Sequence, residues 1–200
     1  LGLNHNFKGS YLHNNQDVHN PEITGKVGVT ASVMEYPAIN LAPLGVEQGD
    51  YYDTIPGPYD IWAIKYGYTP NLSEDELAAI IAEEIKAEHM FANDSEDMRS
   101  PGRGIDPRAM INDLTNDPIT YAINRIELLN HTQDNIVPRL ADRVETFEEY
   151  RLALSVFMRE YSRQLEVISR HIGGVYVERY NPKNISNKEP YTPAPSDEQR

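Results

Sequence analysis

The sequence contains no cysteine, which excludes disulfides and thiolate metal sites. It has no apolar run long enough to span a bilayer. Positive charge is also scarce: 18 Lys and Arg stand against 31 Asp and Glu, for a formal net charge of −13. Nucleic-acid binding needs a basic surface to meet phosphates, so the balance argues against that partner class. Docking on anionic membranes is disfavoured for the same reason. There is no Gly-rich phosphate loop, no Ser or Cys nucleophile motif and no internal repeat. No signal peptide is present, which says nothing about export for a chain that begins inside a motif. The 200 residues are enough to bury a sizeable core in one or two domains.

What is present starts with the first five residues, Leu1-Gly2-Leu3-Asn4-His5. Gly2-Leu3-Asn4-His5 fits the tail of the zinc-protease pattern H-E-x-x-H-x-x-G-x-x-H. In that pattern the first two His lie one helical turn apart and face one metal, with the intervening Glu as general base. The Gly ends the helix, because it accepts the left-handed conformation, and the bend returns the third His to the metal. The first two His and the Glu would precede Leu1. On its own G-x-x-H equally describes an ordinary surface His. His13 and His19 have a spacing that suits no helical pair, and neither is assigned a metal.

A second stretch, Ser32-Val33-Met34-Glu35-Tyr36-Pro37, resembles the Met-turn of the metzincin clan of zinc endopeptidases. Its S-x-M-x-Y form is similar to that of the astacin and serralysin branches. A third, Tyr59-Asp60-Ile61-Trp62-Ala63-Ile64 with Tyr68 beyond, resembles the helix that closes the clan's catalytic domain. More narrowly, the chain is similar to a large bacterial family of secreted zinc-dependent metzincins. The resemblance implies that His5 is the third zinc ligand and that Met34 lies under the metal without binding it. It implies that Gly2 is the structural turn before His5. It also implies that Tyr36 is an extra ligand able to swing away and stabilise the transition-state oxyanion. Pro37, Ala38, Ile39 and Asn40 would form one wall of the pocket for the substrate side chain after the cut bond. Glu35 occupies a variable position and is assigned no role.

The remaining chain reads as helices separated by irregular runs. Residues 6–30 are polar and aperiodic and read as loop, with Phe7 and Tyr11 as packing residues. Residues 37–58 are rich in Pro and Gly. A helix over Tyr59–Tyr66 ends at Gly67 and Pro70, and a second begins at the capping box Ser73–Glu76 and frays near Phe91. Its apolar stripe is Leu77, Ile80, Ile81 and Ile85. The acidic cluster at 93–97 lacks the EF-hand pattern and reads as a solvated loop, followed by Pro101 and Gly102. Asp117-Pro118 starts a helix whose buried side is Tyr121, Ala122, Ile126 and Leu129, and Pro138 marks a start or kink. The longest helix begins at the capping box Thr146–Glu149. Its stripe of Tyr150, Leu154, Phe157, Tyr161, Leu165, Ile168 and Ile172 reads as core packing. Val175–Tyr180 alternates like a strand, and the Pro-containing tail beyond it reads as an extended arm.

The expected fold is mainly α. Residues 1–70 form an irregular metzincin lower subdomain with one closing helix, residues 71–180 an antiparallel helical assembly, and residues 181–200 a tail. The implied function is that of a fragment of a zinc-dependent endopeptidase, with zinc as cofactor and a peptide or protein as substrate. The missing N-terminal part of the same protein is a further partner, and the location is extracellular or periplasmic. The fragment alone is expected to bind zinc weakly and to hydrolyse nothing. The alternatives are a non-catalytic helical interaction module and a degenerate homologue that binds peptides without cutting.

Overall fold

The chain is mainly helical. The computed structural model describes residues 2–94, 98, 104–141, 143–179 and 189–199. Among the described residues its α-helices include α1 (Pro21–Val27), α2 (Pro58–Tyr68), α3 (Glu74–Ala82), α4 (Pro118–Ala141) and α5 (Phe147–Ser169). Strands β1 (Val175–Val177) and β2 (Tyr191–Pro193) pair antiparallel, with Tyr176 opposite Thr192. Residues 95–97 of the acidic loop, Pro101, Gly102 and residues 181–188 of the tail lie outside the described residues.

Helix starts follow their capping signals. The Ser73 side chain accepts from the Glu76 N–H while the Glu76 carboxylate accepts from the Ser73 N–H (2.9 Å), opening α3. Thr146 and Glu149 do the same for α5. Asp117 Oδ1 accepts from the Thr120 N–H (3.0 Å) ahead of Pro118 and opens α4.

Several expectations are corrected. Residues 6–30 are not all loop. Asn20 caps α1 by accepting from the Glu22 N–H, with Pro21 at the first helical position, and 3-10 turns form at Gly9–Leu12 and Asp17–His19. Helix α3 stops at Ala82 and gives way to 3-10 turns at Glu83–Ile85 and Ala87–His89. The Ile80 and Glu83 carbonyls take backbone donors three residues on, from Glu83 and Lys86, and each also accepts a side chain, the Trp62 indole N–H (2.8 Å) and the His89 ring (2.8 Å) respectively. Helix α2 runs through Gly67 to Tyr68. Helix α4 runs through Pro138, which lies in its last turn, so Pro138 is not a helix start. On α5 the buried positions are Gln164 and Val167, while Leu165 is exposed, and Ile172 lies beyond the end of the helix and is exposed. The remaining stripe residues are half-buried, because α5 packs mainly on α4 alone.

The core is divided. Val18, Val29, Ala38, Leu114 and Tyr121 form one apolar cluster; Phe7, Ala92 and Ala109 form a second; Met110, Ala122 and Val167 form a third. Beside these clusters, buried and half-buried polar groups serve the irregular backbone. Asp53 accepts from the Val29 and Thr30 N–H groups (2.6 and 3.0 Å), and Asn40 donates to the Val18 and Asp50 carbonyls (2.7 and 2.8 Å). Lys8 and Arg108 both pair with the buried Asp106 (2.8 and 2.9 Å). Lys8 Nζ also donates to the Val177 carbonyl (3.1 Å) and the Val177 N–H to Asp106 (2.9 Å), so this cluster ties residue 8 to β1.

Gly57, just before α2, marks the tightest approach. A Cβ there would lie 2.1 Å from the Ala31 carbonyl oxygen, whereas a Cβ on Gly25 of α1 would meet nothing within 4 Å. Gly57→Ala is expected to cost about 1–3 kcal/mol through overpacking. Gly25→Ala should be neutral or stabilising by up to about 1 kcal/mol. Chemical denaturation of the two variants checks this. Equal stability of both would contradict the packing seen at Gly57.

Candidate metal centre

His5 reaches its position through a turn and two seams. Gly2 has φ +78°, in the left-handed region that favours glycine, and it turns the backbone ahead of His5. The Asn6 N–H then donates to the Met34 carbonyl (3.0 Å), and the Phe7 N–H donates to the Ala92 carbonyl (2.9 Å). The Asn6 side chain reinforces the second seam: its amide donates to the Met90 carbonyl (2.9 Å) and its Oδ1 accepts from the Ala92 N–H (3.2 Å). Stacking of Tyr59 on Phe91 and of Trp62 on His89 fixes residues 89–92 against α2.

These seams set Asp94 beside His5, with Oδ2 2.8 Å from Nδ1. An ionised carboxylate only accepts, so it keeps the proton on Nδ1 and leaves the Nε2 lone pair for a metal. The imidazole also tilts on the Tyr36 ring, with centroids 4.9 Å and planes 58° apart, and on the Phe7 ring at 5.4 Å. Phe7 is buried; Tyr36 is 56% exposed.

The Met-turn is held at every N–H from Val33 to Tyr36. Val33 donates to Asp60 Oδ2 (2.8 Å), Met34 to Ser32 Oγ (3.1 Å), Glu35 to the Ser32 carbonyl (3.2 Å) and Tyr36 to its neighbour Glu35 Oε1 (2.8 Å). Ser32 Oγ donates to Asp60 Oδ1 (2.6 Å), and the Gly57 N–H also donates to Asp60 Oδ2 (3.1 Å). The Ser of the S-x-M-x-Y run and the Asp of the closing helix are thus two halves of one structure. Beyond the turn, the Asn112 N–H donates to the Tyr36 carbonyl (2.9 Å) and the Ala38 N–H to the Asp113 carbonyl (3.1 Å). Asn112 and Thr115 have φ of +67° and +72°, strained for side-chain-bearing residues and most of all for the β-branched Thr115.

Of residues 37–40, Ala38 and Asn40 are buried, Pro37 is half-buried and Ile39 is exposed. His13 is buried against the Gly28 carbonyl (2.7 Å). His19 is buried with both ring nitrogens unpartnered among the described residues, and burial lowers its pKa. Neither belongs to a metal-binding cluster: among the described residues no group of three or more His, Asp or Glu could hold an ion. What the structure gathers is one oriented imidazole and one phenol. Imidazole is a zinc ligand by type, so these residues fit part of a zinc site that needs further ligands.

Sequence reasoning missed Asp60, Asp94, Glu35 and Asp113. Glu35 is buried beneath the turn, where Oε2 accepts from the Ser10 N–H (3.1 Å). Ser10 Oγ in turn donates to the buried Asp113 (2.8 Å). Burial pushes both carboxyls up, Glu35 further raised by the Asp113 charge and Asp113 reaching about 7. The only signal for Glu35 was its place between Met34 and Tyr36.

An acid raised from about 4 when unfolded to about 7 when folded favours the fold below its unfolded pKa. That stability is lost as pH rises through the folded pKa. The melting temperature should therefore fall between pH 4 and pH 7. Asp113→Asn, which keeps an acceptor for Ser10, should flatten the fall. An unchanged pH profile in thermal unfolding would contradict the burial of an acid pair here.

Comparison with curated proteins and with solved structures gives no match. A family model described as Met-zincin matches residues 1–200. With that match, and a histidine stitched to a Met-turn whose serine is locked to the closing helix, the chain belongs to the Met-zincin family and is related to the metzincin zinc proteases.

Proposed function

We propose that this chain supplies the third histidine ligand, the Met-turn and one substrate wall of a zinc-dependent endopeptidase. The remaining two His ligands and the general-base Glu come from residues outside this sequence. The observation that supports this reading is the His5 imidazole, held at Nδ1 by Asp94 and set against Tyr36 by the Asn6–Met34 seam. The same reading makes the enzyme a secreted bacterial protein acting on peptides or proteins. No helix among the described residues is long and apolar enough to cross a membrane.

Each residue then has a defined task. Zinc, when bound, acts as a Lewis acid that polarises the scissile carbonyl and acidifies water. His5 offers Nε2 as a ligand, and Asp94 fixes its tautomer and ring orientation. Tyr36 would be a further ligand in the resting site and, being exposed, could turn its hydroxyl to donate to the developing oxyanion. Its main chain cannot follow, because the Tyr36 N–H and carbonyl are both engaged. Met34 would form the floor beneath a metal held there. Pro37 and Ile39, rather than the buried Ala38 and Asn40, present side chains to a substrate.

Two outcomes follow for the peptide-cleaving protein and one for residues 1–200 alone. Asp94→Ala should weaken zinc affinity ~10–100-fold, as loss of an outer-shell partner does. Tyr36→Phe should lower kcat ~100-fold with KM nearly unchanged, as loss of a transition-state donor does. Residues 1–200 alone should show no tight zinc binding and no hydrolysis. Tight one-to-one zinc binding by residues 1–200, measured by chelator competition, would overturn the division of ligands. A zinc-loaded protein that binds peptides without cleaving them would support the non-cutting homologue instead.

A further inference from the structure

We propose that the cleft between α4 and α5 is an exosite for an extended, apolar segment of the substrate with basic flanks. This rests on the reading of the Met-turn as part of a peptidase site and deepens it. The cleft encloses about 570 Å³, a volume typical of ligand sites. Leu128 and Leu129 of α4, Val156 and Phe157 of α5, and Ile39 line it with carbon. Ile39 joins the cleft to the candidate site, since it follows Tyr36 along a main chain pinned at both ends. The Ala38 N–H is bonded to Asp113, and the Ile39 carbonyl accepts from the Tyr121 hydroxyl of α4 (3.2 Å).

One polar group is built into this apolar lining. Arg125 of α4 is 5% exposed and lines the cleft; its Nη2 donates to Glu160 of α5. Its Nε and Nη1 have no partner among the described residues. Buried donors left unsatisfied are costly, and a guest bringing acceptors would relieve that cost. Main-chain carbonyls of an extended peptide are such acceptors. Those of a helix are already used within the helix.

Charge selects among apolar guests. The Arg125 charge is already met by Glu160, and Glu149 also lines the cleft of a chain with net charge −13. An anionic membrane or a second copy of this acidic chain would be repelled. A neutral apolar peptide with Lys or Arg at its ends is attracted and steered.

The probe is a fluorescein-labelled, acetylated and amidated decapeptide, Lys-Lys-Val-Thr-Leu-Val-Thr-Leu-Lys-Lys, titrated by anisotropy against the full chain. A control peptide has Ser at every Val and Leu. The wild-type chain should bind the first and not the second. Leu152→Glu and Val156→Glu change side chains that are 61% and 52% exposed, so they leave the fold intact, which circular dichroism checks. Each should weaken binding about tenfold or more, the loss of one well-packed contact, and so should Arg125→Met. His5→Ala should leave binding unchanged, which separates this exosite from the catalytic reading. Equal binding of the serine control, or unchanged binding by all three cleft variants, would overturn the proposal. So would displacement of the probe by palmitate, or a wild-type dimer that Val156→Glu dissolves.

Discussion

Asp60 is the residue on which the candidate site depends. Its carboxylate accepts three hydrogen bonds, from Ser32 Oγ, the Val33 N–H and the Gly57 N–H, and so locks the Met-turn to the first turn of α2. Bonds to an ionised acceptor are each worth about 1.5–3 kcal/mol, and loss of the acceptor would strand buried donors. An irregular segment has no ladder of its own to hold it. Met34 and Tyr36 keep a fixed geometry because side chains such as Asp60, Ser32 and Glu35 take the place of that ladder.

The same device is repeated outward from the turn. Asn6 holds residues 90–92, which place Asp94 on His5; Asp53 holds Val29 and Thr30; Asn40 holds residues 18 and 50. The molecule has small apolar clusters and a polar interior, and the site lies where polar side chains organise backbone. Glu35 and Asp113 show the cost of this solution: two acids buried on either side of Ser10 are both pushed up in pKa by their burial.

Local signals were legible in the sequence because their partners are local. The capping boxes at Ser73 and Thr146 and the Asp117-Pro118 start involve residues within one turn of each other, and the helices open there. The S-x-M-x-Y run and the D-I helix were legible as separate stretches, but not the bond between them. His5 and Asp94 are 89 positions apart, and no spacing rule links them. Asp94 read as one acid in a solvated loop. Asn20-Pro21 carried a cap-and-proline signal for α1 that the polar surroundings hid. The α5 stripe read as core because periodicity reports an apolar face without saying whether anything covers it. Here α4 covers part of that face and leaves the cleft beside Ile39.

The central claim is that His5 is a ligand held in place from outside the metal. It is tested most directly by zinc-edge X-ray absorption of the zinc-loaded protein, comparing wild type with His5→Ala. The account predicts the loss of one imidazole from the coordination shell. An identical imidazole count in both would contradict it and leave His5 outside the coordination shell.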